Sequence, residues 1–192
     1  YAGWLEVEAR LREQLRWLIN AGSTDEIALL KNTSEALSVV AWGLPWEPGD
    51  NVVISDQEFP SNRVVWESLN QAGVTTRAID LTQGESPEAA LIAGMDERTR
   101  VLSVSSVQYG TGLRLDLPRL GMACRERGIL FCIDAIQSLG ALTFDVQACK
   151  GDFVMADGHK WMLGPEGIAL FYCRKDLMDR LTLRQYGWHM LE

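Results

Sequence analysis

Apolar residues at Trp4, Val7, Leu11, Leu15 and Leu18 recur every three or four positions with charged residues between them. That spacing is expected of a helix with one buried stripe, here over residues 3–19. Beyond it the period changes. Short runs rich in β-branched and aromatic residues predict seven strands: IALL (27–30), NVVIS (51–55), VTTRAI (74–79), RVLSVSS (100–106), ILFCID (129–134), DFVMA (152–156) and IALFYC (168–173). Helical spacing returns between most of them, over 34–43, 61–71, 87–94 and 117–127. Several strands are apolar on both faces, as a sheet covered by helices on both sides requires. The pattern therefore predicts an α/β fold, a three-layer α/β/α sandwich around a mostly parallel, seven-stranded sheet. The last two runs are separated by GHKWMLGPEG, with no helix-length segment, so one antiparallel pair is expected there.

No repeat, linker or low-complexity stretch divides the 192 residues, and a single domain over 1–192 is the expectation. The chain opens at Tyr1 and keeps its hydrophobic density to Glu192, which fits a piece of a longer polypeptide. With 47% hydrophobic and 23% charged residues it is not a disordered chain. A net charge of −8 argues against a nucleic-acid partner, which would need a concentrated basic surface. No apolar stretch approaches the roughly 20 residues that span a bilayer, and no signal-peptide pattern stands at the front, so a cytoplasmic protein with small-molecule partners is expected. Cys124, Cys132, Cys149 and Cys173 are widely spaced and read as reduced, buried thiols. Two histidines and no zinc spacing predict no metal site. The seven tryptophans, among them Trp42, Trp46 and Trp66, read as packing residues.

An α/β sheet raises nucleotide binding first. The segment after the first strand, KNTSEAL, has no glycine, which removes the GxGxxG fingerprint, and GHKW puts Trp161 where a P-loop needs a hydroxyl. Polar residues instead cluster where strands end, the edge at which such sheets bind ligands. The clusters are Asn32-Thr33-Ser34, Ser105-Ser106 with Gln108, Asp134 with Gln137, and Asp157 through Lys160. Asn32-Thr33-Ser34 before an apolar helix would place free backbone N–H groups and the positive helix end at the site, a cradle for phosphate or a plain N-cap. Asp134 ends an apolar strand, where an unpaired carboxylate is costly; it reads either as the partner of an arginine or as a helix cap, or as the group that keeps a ring nitrogen protonated. Lys160, between Gly158-His159 and Trp161, is expected in an apolar, crowded turn where an ammonium tends to lose its proton and attack aldehydes.

NTSEAL, DQEFPSNRVVW, SVQYGTG, CIDAIQSLG and ADGHKWMLGPEG occur in that order, with Asp134 and Lys160 26 residues apart. In these motifs, and over nearly its whole length, the chain resembles the class V aminotransferase branch of fold-type I pyridoxal-phosphate enzymes, which includes cysteine desulfurases, kynureninases and isopenicillin-N-epimerase-like proteins. The resemblance implies that residues 1–192 are a large domain lacking the smaller C-terminal one. It implies pyridoxal 5'-phosphate as cofactor, held by Lys160 as an internal Schiff base, with Lys160 later moving the α-proton. Asp134 would pair with the ring nitrogen, Gln137 with the phenolic oxygen, and Thr33, Ser34 and His159 with the phosphate. Gln108, in preference to Tyr109, would contact the cofactor, and Phe59 would stack on the ring.

Two positions depart from the family pattern. Phe59 stands where desulfurases carry a histidine, and Asp157 where many relatives place a phosphate-binding serine. The function implied is aminotransferase-like chemistry on an amino-acid or amine substrate. A desulfurase, lyase or epimerase of the same family is the first alternative, and a non-catalytic scaffold the alternative from another class. A homodimer is implied for the full-length protein, with the stretch at Tyr186-Gly187-Trp188 near the neighbouring subunit, and little or no turnover is expected from the 192 residues alone.

Overall fold

A computed structural model describes residues 2–187. Seven strands, β1 (Ile27–Leu30), β2 (Asn51–Ser55), β3 (Thr75–Ile79), β4 (Thr99–Ser105), β5 (Leu130–Asp134), β6 (Phe153–Asp157) and β7 (Ala169–Cys173), form one sheet in the order β1-β7-β6-β5-β4-β2-β3. β7 runs antiparallel to both its neighbours, and the remaining pairs are parallel. The expected antiparallel pair is thus β6 with β7, joined through the loop that carries Lys160. Because β1 and β6 both oppose β7, every other strand delivers its carboxyl end to the same edge.

Five helices cover the sheet: α1 (Ala2–Leu18), α2 (Thr33–Gly43), α3 (Ser61–Glu67), α4 (Pro87–Gly94) and α5 (Leu117–Arg127). Alternating strand residues supply two separate cores, as the pleat dictates. Phe131, Ile133, Val154 and Val104 pack with Leu15 of α1, Leu91 of α4 and Leu120 of α5. Cys132, Phe153, Met155 and Val101 face the other way, against Leu37 and Val40 of α2 and Trp66 of α3. Burial on both faces explains why β2 and β7 are buried at every position, whereas the edge strand β3 is not.

The helix expected over 61–71 stops at Glu67 and continues as a tighter 3-10 turn to Ala72, ending on Gly73 with φ +77. The stripe of α1 is only half used: Leu15 is buried, but Trp4 is 78% and Val7 49% exposed, because the first half of the helix runs past the layer it packs on. Trp17 and Trp161 are exposed as well, so the packing expectation holds for Trp66 and in part for Trp42 and Trp46, not for these three tryptophans. Trp188 lies outside the described residues.

Candidate active site

Each polar cluster picked out in the sequence stands at the carboxyl end of a strand that runs opposite to β7, so the topology gathers Thr33 (after β1), Gln108 (after β4), Asp134 and Gln137 (from β5) and His159-Lys160 (after β6), together with Phe59 (after β2), along one edge. β5 lies between β4 and β6, which places Asp134 at the middle of the group.

Asp134 is 2% exposed. Burial, with Glu58 and Asp157 as nearby like charges, pushes its carboxyl up to about 7 against one hydrogen bond from Ile136 N at 3.0 Å. Among the described residues no cationic side chain lies within ion-pair distance of it. No arginine fills that place among the described residues; the Ile136 N–H meets the capping alternative with one contact, and the burial that remains suits a protonated ring nitrogen.

Two amides flank this carboxylate's edge, and each is fixed in orientation by a neighbour. Gln137 Oε1 accepts from the indole Nε1–H of Trp161 at 3.0 Å, so its NH2 group is the part left to donate. Gln108, 1% exposed, is set the other way. Its Nε2 donates to Glu58 Oε1 at 2.8 Å and to Ser55 Oγ at 3.1 Å, and its Oε1 has no partner among the described residues.

Glu58 is itself buried and accepts from Ser55 Oγ, Asn62 Nδ2, Ser105 N and Ser105 Oγ as well. Asn62 Oδ1 in turn accepts from Ser103 Oγ and Trp66 Nε1. Sequence reasoning passed over this hub although it lies inside DQEFPSNRVVW. Its one signal was Glu58 and Asn62 four residues apart in a stretch otherwise bound for the core.

Phe59 and Tyr109 project from neighbouring loops and meet edge to face, ring centroids 5.1 Å apart at 88°, with 47% and 54% exposure. Phe59 thus offers an open ring, as a stacking residue needs, while Tyr109 contacts Phe59.

At the other end, Asn32 caps α2 by accepting from Glu35 N at 2.9 Å. Thr33 is buried and Ser34 exposed, its hydroxyl donating to Ser61 Oγ at 2.8 Å. Asp157, the unexpected carboxylate, accepts Thr33 N–H at 2.5 Å and Thr33 Oγ1–H at 3.2 Å, and its second oxygen lies 3.6 Å from His159 Nδ1. The phosphate cradle expected from Thr33 and Ser34 is therefore shared with an anion of the protein's own.

Lys160 corrects a second expectation. Its side chain is exposed rather than crowded, because the turn opens outward at the sheet edge and its apolar neighbours Trp161 and Leu163 face solvent. The loop is nonetheless held against the Asp134–Gln137 loop. Gly140, with φ +95, approaches the carbonyl of Trp161 so closely that a Cβ would lie 2.2 Å from that oxygen. No group of three metal-ligating side chains occurs among the described residues. No helix described is long and apolar enough to cross a membrane.

The donors and charges fit pyridoxal phosphate along the ring edge. A cofactor placed there would have Asp134 for its ring nitrogen, the Gln137 NH2 for its phenolic oxygen, Phe59 for its ring face and Lys160 for its aldehyde. The phosphate end fits with the one conflict at Asp157.

Comparison with known proteins bears on the family, the fold and the cofactor. A probable cysteine desulfurase of Methanothermobacter thermautotrophicus is 37% identical over 177 residues, 92% of this chain and 44% of that protein. A cysteine desulfurase of Pectobacterium carotovorum is 34% identical, over 94% of this chain and 46% of its own length. The apo cysteine desulfurase of Thermococcus onnurineus superposes with a TM-score of 0.85 at 28% identity, over 92% of this chain and 45% of that one. A cystine C-S lyase in complex with its product cysteine persulfide superposes with a TM-score of 0.89 at 27% identity, over 96% of this chain and 50% of that one. The chain spans about half the length of the relatives it matches. The family model for class V aminotransferases matches residues 6–192, and the chain belongs to that family.

Proposed function

We propose that the full-length protein is a pyridoxal-phosphate enzyme acting at the α-carbon of a small amino acid, and that its substrate is a sulfur amino acid whose C–S bond is cleaved. The observation that carries the cofactor reading is Asp134, buried with no cation in ion-pair distance among the described residues, on the sheet edge where Lys160 is exposed. The substrate class is supported by the relatives, named as desulfurases, and by the structural neighbour that is a cystine lyase.

The cofactor, when bound, supplies an aldehyde that captures amines and a ring that withdraws electrons from the substrate's α-carbon. Asp134, ionised once a protonated ring nitrogen faced it, would keep that nitrogen protonated. Gln137 offers its NH2 to the phenolic oxygen. Phe59 covers a ring face without being able to move a proton. Lys160 carries the cofactor at rest and then, as a free amine, takes the α-proton at its Nζ.

Phe59 favours a second reading. A histidine at that place could shuttle protons, so its replacement suits aminotransfer, the expectation from the sequence, better than desulfuration. The homodimer, the cytoplasmic location and the large-domain assignment are parts of the same proposal.

The test uses the full-length protein. It is mixed with pyridoxal phosphate, reduced with borohydride and mapped by peptide mass, then assayed with cysteine and cystine for sulfide, persulfide, alanine and pyruvate. Modification at Lys160 with sulfur release supports the lead reading, and modification with amino-group transfer to a keto acid the second. Modification scattered over surface lysines overturns both and leaves a scaffold that keeps the fold.

A further inference from the structure

The amino end of α2 combines orphan N–H groups with the positive end of an 11-residue helix, and the protein has placed a carboxylate on it. Of the first four N–H groups, Thr33's goes to Asp157 Oδ1, Glu35's to Asn32 Oδ1 and Ala36's to Asn32 O, which leaves Ser34's among the described residues. Thr33 Oγ1–H is committed to the same Asp157 oxygen. A phosphate arriving here therefore meets an anion that holds its best donor, and no lysine or arginine lies within ion-pair distance of that anion among the described residues. Among the described residues, the group within ion-pair distance of Asp157 is His159, at 3.6 Å from Oδ2. The backbone of Asp157 is fixed, paired with Ala169 across β6 and β7, so relief must come from rotation of its side chain.

We propose that Asp157 sets the affinity of this site for the cofactor's phosphate. Carboxylate and phosphate compete for Thr33 N–H, and the phosphate seats as Asp157 releases that group and turns toward His159. The inference rests on the site being one for pyridoxal phosphate. It is opposite in sign to a purely structural role, since loss of a mere helix cap would loosen whatever α2 helps to bind, whereas loss of a competitor tightens it.

The experiment compares pyridoxal phosphate with pyridoxal, which has the same ring and aldehyde but no phosphate. Full-length protein freed of cofactor, as wild type, Asp157→Asn and Asp157→Ser, is titrated with each compound while the adduct at Lys160 is followed by visible absorbance. Asn keeps an oxygen for Thr33 N–H, so that variant changes the charge with the cap intact. The expected result is that both variants bind pyridoxal phosphate at least about tenfold more tightly, while pyridoxal binding stays within about twofold. Unchanged or weaker phosphate-form binding in both variants overturns the proposal, and so does equal tightening for the two compounds, which would place the effect at the ring through Asp134. If neither compound forms an adduct at Lys160 in any of the three proteins, the cofactor reading fails and takes the proposal with it.

Discussion

Gln108 Nε2 donates to Glu58 Oε1 at 2.8 Å, and this contact decides which end of the Gln108 amide is available to anything else. A carboxylate only accepts, so the amide nitrogen must face Glu58 and its oxygen must face away. Gln137 is set in the opposite sense by Trp161, so one amide has its donor end free and the other a buried acceptor without a partner among the described residues.

Glu58 is the acceptor on which this arrangement depends. Glu58→Ala strands Ser105 N–H and the Asn62 amide inside the protein, leaves the Gln108 amide only Ser55, and is expected to cost about 3 kcal/mol of unfolding free energy in a denaturant titration. A loss below about 1 kcal/mol would show that these donors find other partners.

Asp134 makes the cofactor-free protein's stability pH-dependent. Its carboxyl is raised from 3.8 to about 7, so the folded state holds the proton more tightly than the unfolded state does. Below about pH 4 both states are protonated and the group is neutral in effect. As pH rises, the unfolded chain ionises first, and the stability contributed by the bound proton is lost through pH 7. Asp134→Asn is therefore expected to match wild type near pH 4 and to exceed it by ~4 kcal/mol at pH 8, each without cofactor. A pH-independent difference between the two proteins would contradict the burial argument.

All four cysteines are buried, and burial pushes their thiols up, to about 12 for Cys124 and Cys173 and about 11 for Cys149. A thiol that does not ionise is neither nucleophile nor sulfur carrier. A thiol-specific reagent at pH 8 is expected to leave the four untouched in native protein and to label all of them after unfolding. If the C–S cleavage reading holds, sulfur passes to a group other than these.

Gly140→Ala sets a Cβ against the Trp161 carbonyl in a backbone conformation that alanine resists. The expected cost is about 2–4 kcal/mol. Cofactor binding by the full-length protein should weaken with it, since the two loops that carry Gln137 and Lys160 are forced apart. Wild-type affinity with an unchanged unfolding midpoint would show that the contact is dispensable.

The strands were legible because runs such as FCID and VVIS are apolar on both faces, a pattern that few other structures explain. The site's membership was legible because each polar cluster sits at a strand end and the parallel sheet does the gathering. The surroundings of individual residues were not. Periodicity reveals that α1 has a stripe but not that its first half meets no neighbour, so Trp4 and Val7 stay exposed. Lys160 has bulky neighbours in sequence, yet in a tight turn adjacent side chains diverge. The partners that bury Glu58 and occupy Asp157 come from Ser105 and Thr33, 47 and 124 residues away, and local sequence carries no trace of them.

The sheet's wiring bears on how the protein is made. β1, which leads into Thr33, finds its hydrogen-bonding partner in β7, the last strand of the sheet. A nascent chain that has emerged only as far as Lys160 already carries the amine and the Asp134 carboxylate, but β1 still lacks the strand that fixes it. The phosphate end of the site is thus completed after the ring end, once Ala169–Cys173 has left the ribosome. The cofactor is expected to stabilise the finished sheet by mass action, and a pairing this distant in sequence is expected to form slowly.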